Sequence, residues 1–68
     1  MKILYGASWC PSCKTLKKQL EIKQVAFEYR DADDKEVMRE LSDLGVRSIP
    51  FGRVGDKVFE DPTVGDYL

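Results

Sequence analysis

The chemistry of this chain is concentrated in one pentapeptide, Trp9-Cys10-Pro11-Ser12-Cys13, which holds both cysteines of a sequence without histidine. Two thiols at this spacing support three kinds of behaviour. They can exchange with a substrate disulfide: one thiolate attacks, a mixed disulfide forms, and the second thiol resolves it, leaving an internal Cys10–Cys13 disulfide and a reduced substrate. They can supply half of a zinc or iron–sulfur site. They can be purely structural, as an inert disulfide or as buried thiols. The structural role is the weakest of the three, because closing a two-residue loop removes little entropy from the unfolded chain. A metal site would lack two ligands, which would have to be carboxylates or paired Cys10 and Cys13 of a second chain across a dimer. The absence of histidine also removes the commonest general base and the usual partner of a nucleophilic Ser or Cys.

The elements around the pair decide between these uses. Lys2-Ile3-Leu4-Tyr5 is a short apolar run closed by Gly6 and reads as a strand. Pro11 suits the first position of a helix running to about Gln24, with Cys13, Leu16 and Leu20 on its apolar face and Lys14, Lys17 and Lys18 on its solvated one. A Cys-x-x-Cys that follows a strand and opens a helix puts its first sulfur beside unpaired N–H groups and the positive end of the helix dipole, a setting that favours thiolate. That expectation makes Cys10 the nucleophile and Cys13, one turn further in, the resolving thiol. Trp9 reads either as a core aromatic or as a ring covering the site and touching a partner.

Downstream, Val25, Phe27 and Tyr29 alternate with polar neighbours as in a second, half-buried strand. Asp33 and Glu36 have capping-box spacing ahead of the stripe Val37, Met38, Leu41 and Leu44, which ends at Gly45. Ile49-Pro50-Phe51 opens a third extended segment, and Gly55-Asp56 predicts a hairpin into Val58-Phe59. Asp61-Pro62 is positioned to cap a last short helical turn. The expected order is β-α-β-α-β-β: an α/β chain with a mixed four-stranded sheet and a truncated last helix, its first two strands parallel.

Composition sets the outer bounds. Sixty-eight residues, 43% apolar and 34% charged, describe one globular domain over residues 1–68. A net charge of −1 gives no general attraction to nucleic acid or to anionic lipid. No apolar run approaches the roughly 20 residues that cross a bilayer, and no leader-like segment opens the chain. A cytoplasmic monomer is expected, with no nucleic-acid or membrane partner.

Taken together, Tyr5, Cys10-Pro11-Ser12-Cys13 and Ser48-Ile49-Pro50 resemble the glutaredoxin branch of the thioredoxin superfamily, in its minimal form. The resemblance runs from Met1 to about Phe59, with Ser48-Ile49-Pro50 standing for the family's Thr-Val-Pro. It implies a thioredoxin-like fold and a thiol–disulfide oxidoreductase that binds no cofactor beyond its redox-active disulfide. It further implies a cis Ile49–Pro50 bond facing the cysteines, with Trp9, Pro11, Ser12, Ile49 and Pro50 forming the substrate-binding edge, and no metal. Implied partners are disulfide-containing proteins such as ribonucleotide reductase, with glutathione or thioredoxin reductase as electron donor. Two departures bear on that donor. Ala7 stands where glutaredoxins usually carry Lys, and Glu60-Asp61-Pro62-Thr63-Val64 replaces Gly-Gly-x-Asp-Asp, which predicts weakened capture of glutathione carboxylates.

Overall fold

The apolar run at the start of the chain forms β1 (Lys2–Gly6), and the computed structural model, which describes all 68 residues, sets it inside the sheet. β2 (Glu28–Asp31) lies parallel to it on one side, and β3 (Phe51–Val54) antiparallel on the other, followed by β4 (Lys57–Glu60). The strand order is β2-β1-β3-β4, the mixed four-stranded sheet expected from the sequence. Three helices complete the order: α1 (Pro11–Ile22), α2 (Lys35–Asp43) and the single turn α3 (Val64–Tyr67).

Because successive side chains of a strand point to opposite faces, β1 feeds two cores. Leu4 packs with Leu16, Leu20 and Tyr67, and Val25, Phe27 and Tyr29 close the edge of this cluster. Ile3 and Tyr5 pack with Leu41 and Phe51. The buried Tyr67 hydroxyl donates to the Ile3 carbonyl at 2.8 Å, which ties the C-terminal turn to β1.

Both long helices stop in the same way. Gln24, with φ of +58°, and Gly45, with φ of +74°, take the left-handed conformation. The following N–H then reaches back, Val25 to the Leu20 carbonyl at 3.0 Å and Val46 to the Leu41 carbonyl at 2.9 Å. This is the Schellman arrangement, with a valine closing on a leucine each time.

Several sequence expectations shift at this level. α1 ends at Ile22, because Gln24 leaves helical geometry. The alternation Val25, Phe27, Tyr29 marks the right face, but the ladder starts only at Glu28, opposite Ile3, since β1 has almost no chain left to pair with earlier residues. The cap of α2 is Asp34, whose carboxylate accepts the Glu36 N–H at 2.9 Å; Asp33 is engaged elsewhere. Of the α2 stripe only Leu41 is buried, and Met38 and Leu44 are exposed because nothing packs over that side. The cap of α3 is Thr63 rather than Asp61, and its N–H donates to the Asp66 carboxylate at 2.8 Å.

Candidate active site

β1 ends at Gly6, and the chain turns through Ala7, Ser8 and Trp9 before Pro11 starts α1. Cys10 is the N-cap, in extended conformation, held by its own N–H donating to the Ala7 carbonyl at 3.1 Å. Its sulfur accepts the N–H of Cys13 at 3.3 Å, so a helix-opening donor that would otherwise be unpaired points at Sγ. Both thiols are free. Cys10 keeps a small exposure of 7%, whereas Cys13 is sealed at 0%. Burial pushes the Cys13 thiol up to about 12, and its place beside Cys10 adds to the rise.

Ala7, Cys10 and Cys13 form one small buried cluster, and Ile49 packs against it. The Ile49–Pro50 peptide bond is cis, as the resemblance implies. Pro50 is buried and its carbonyl accepts the Asp61 N–H at 3.2 Å. Ile49 lies just before β3, and neither its N–H nor its carbonyl takes part in a backbone hydrogen bond. Pro11 and Ser12 are exposed on the first turn of α1. The structure thus gathers Cys10, Cys13 and Ile49 into one cluster, with Pro50 buried next in sequence to Ile49 and Pro11 and Ser12 exposed beside it on the first turn of α1.

Trp9 is not a core aromatic: it is 65% exposed, and its indole N–H donates to both carboxylate oxygens of Asp33, at 3.2 and 3.1 Å. That bond explains why Asp33 does not cap α2. Trp9 and Ile49 both line a groove of about 580 Å³ whose walls include Met38, Leu41, Val46 and Arg47. No group of three or more Cys, Asp or Glu side chains is placed to hold a metal ion.

Sequence reasoning passed over three residues here. Asp33 orients Trp9. Gly6 is a point of close approach, since a Cβ there would lie 2.8 Å from Cys13 Cβ and 3.0 Å from the Tyr29 hydroxyl. A glycine at the end of a strand signals such proximity. Tyr29 was legible only as one member of an apolar alternation.

In the segment after β4, the donors ahead of α3 are already engaged. The Asp61 N–H is held by Pro50, Pro62 has none, and the Thr63 N–H is held by Asp66.

Compared with known families, the chain matches the glutaredoxin family model over residues 3–59, which takes in the cysteine pair, Ile49-Pro50, β2 and β3, and all but one residue each of β1 and β4. The chain belongs to the glutaredoxin family. A search of curated proteins and a search of solved structures each returned no match. As a glutaredoxin, the chain has the thioredoxin-like fold, and its family chemistry is that of thiol–disulfide oxidoreductases. The glutaredoxin match ends before Asp61-Pro62-Thr63, where the backbone donors are already occupied. No helix is long and apolar enough to cross a membrane.

Proposed function

We propose that residues 1–68 act as one glutaredoxin-like domain that reduces protein disulfides, with Cys10 as nucleophile and Cys13 as resolving thiol. The observation that carries this reading is the inequality of the two sulfurs. Cys10 Sγ sits at the helix start, facing a backbone N–H and close to solvent, while Cys13 Sγ is sealed and held neutral by burial. A substrate disulfide reaches only Cys10. The Cys10 thiolate attacks one substrate sulfur, the electron pair of that S–S bond leaves on the other, and a mixed disulfide results. Cys13 then gives up its proton and attacks Cys10 Sγ. The internal disulfide closes, the substrate leaves as a dithiol, and an external dithiol resets the pair.

Docking is assigned to the cis Ile49–Pro50 edge. The unpaired backbone groups of Ile49 support strand-like pairing with an extended segment of the substrate, beside Trp9 and the rim residues Pro11 and Ser12. A protein disulfide is favoured over glutathione. The site lacks a cation at Ala7, which is buried, and the backbone donors of Asp61 and Thr63 are already spent. The electron donor that fits is a thioredoxin reductase. A metal carrier bridged by two copies of Cys10 and Cys13 is disfavoured, because the fully buried Cys13 sulfur would have to be uncovered to meet a second chain.

The test is NADPH consumption during reduction of a protein disulfide, with thioredoxin reductase in one cuvette and glutathione plus glutathione reductase in another. Turnover in the first and little in the second is expected. Turnover confined to glutathione would overturn the donor assignment, and none in either would overturn the oxidoreductase reading.

A further inference from the structure

The resolving step leaves a question that the cysteine pair alone does not answer. A thiolate must form, if only briefly, on a sulfur with no exposure to water, where the backbone at Ala7 and at Cys13 itself favours the anion but burial outweighs it, so a further hydrogen-bond donor would help. The chain has no histidine, and β1 carries only Ile3, Leu4 and Tyr5 ahead of Gly6. A polar side chain reaches the Gly6 position from the neighbouring strand. Tyr29 stands on β2 opposite Leu4 and turns toward the α1 face, where it packs against the Leu4, Leu16, Leu20 and Tyr67 cluster. Its hydroxyl and Cys13 Sγ flank the missing side chain of Gly6, at 3.0 and 3.2 Å from the place a Cβ would take. Lys17 Nζ lies 4.5 Å above the ring centroid and pins it from the solvent side. Because Gly6 has no side chain, the phenol and the sulfur border one small space, though no hydrogen bond joins them in the reduced protein.

We propose that the Tyr29 hydroxyl donates a hydrogen bond to Cys13 Sγ as the resolving thiolate forms, making Tyr29 a positioning and charge-stabilising residue for the second half of the reaction. This inference rests on the roles proposed for Cys10 and Cys13. The step balances without a further reactant. The Cys13 proton ends on the departing substrate sulfur, the Cys10–substrate S–S bond breaks as the Cys10–Cys13 bond forms, and Tyr29 keeps its own proton throughout. The groups facing that hydroxyl agree with the role. Tyr29 is raised above the ordinary tyrosine value chiefly by burial, then by the negative charge of Asp31, Cys13, Cys10 and Asp33, so the phenol keeps its proton at neutral pH.

Tyr29→Phe removes the hydroxyl and keeps the ring beneath Lys17. Stopped-flow reaction of the reduced protein with dithiobis-nitrobenzoate separates the two half-reactions, since one coloured thiolate is released when Cys10 attacks and the second when Cys13 resolves. The variant is expected to keep the first phase within about twofold and to slow the second by roughly tenfold, the effect of one hydrogen bond to a charged group. The pH midpoint of its second phase should also move upward. A second phase unchanged in rate and pH midpoint would overturn the inference, as would equal slowing of both phases, which would point to a general loss of structure. Absence of a second phase in the unsubstituted protein would instead overturn the roles assigned to the cysteines.

Discussion

The two faces of the sheet are covered differently. On one face α1 buries Cys13, Leu16 and Leu20, α3 adds Tyr67, and the Tyr67 hydroxyl is satisfied by Ile3. On the other, α2 buries only Leu41, leaves Met38 and Leu44 exposed, and faces a Tyr5 hydroxyl that is buried without a hydrogen-bond partner. The closed face holds the sulfurs and the phenol beside them. The open face carries the groove between Trp9 and Ile49. In so small a chain, apolar surface is not sufficient to seal both sides. Full helix cover lies where geometry must be fixed around Cys13, and cover is thin where a partner would dock.

The strongest way to break this contrast is to open the closed face. Leu20→Ala, at a position with no exposure, is expected to cost about 3 kcal/mol, whereas Leu44→Ala on α2 should stay within about 0.5 kcal/mol. Thermal melts of the two variants check this, with a Tm drop of more than about 10 °C expected only for Leu20→Ala. Equal losses would mean that the two faces share the stability evenly.

A smaller effect follows from the sealed thiol. The folded state holds Cys13 up at about 12, against 9.0 for an ordinary thiol, so its contribution to stability is whole below pH 9 and falls away as pH rises toward 12. Tyr5, Tyr29 and Tyr67 are also raised, chiefly by burial, and act in the same direction above pH 10. Denaturant midpoints of the reduced protein should therefore fall between pH 9 and 10, and Cys13→Ala should flatten that first part of the decline. On the acid side, burial raises Glu40 most, but the hydrogen bond and charge of Arg30, added to the other lowering contacts including the charge of Arg53, together hold the carboxyl below its ordinary value.

The smallest expected change in stability comes from the open face, where it sharpens the contrast through activity instead. Met38→Lys places a charge in the groove and should leave the melting temperature within about 2 °C. It is expected to raise KM for a protein disulfide several-fold while leaving the reaction with a small disulfide unaltered. An unchanged KM for the protein substrate would remove the groove from the docking surface.

Much of this arrangement is legible in the residues. The strand–Cys-Pro-Ser-Cys–helix succession, the Leu16 and Leu20 face of α1, and the Gly55-Asp56 hairpin follow from local periodicity and turn chemistry, and the structure has them in place. The parts that were not legible depend on contacts distant in sequence. Two adjacent aspartates can both cap a helix, and only the position of Trp9, 24 residues earlier, decides that Asp33 serves the indole while Asp34 serves α2. Alternation placed Tyr29 on the buried face, but its nearness to Cys13 requires knowing that β2 pairs with β1 in the register Leu4 to Tyr29. The exposure of Met38 and Leu44 likewise reflects a missing neighbour, which no local pattern records.

The unequal roles of the two sulfurs are tested most directly by mixed-disulfide trapping. Reduced Cys13→Ser and Cys10→Ser proteins would each be incubated with a disulfide-containing protein substrate, quenched with acid and analysed by intact mass. Cys13→Ser should accumulate one adduct, mapped to Cys10, and Cys10→Ser should accumulate none. An adduct on Cys13 in the Cys10→Ser protein, or full disulfide reduction by that variant, would contradict the assignment.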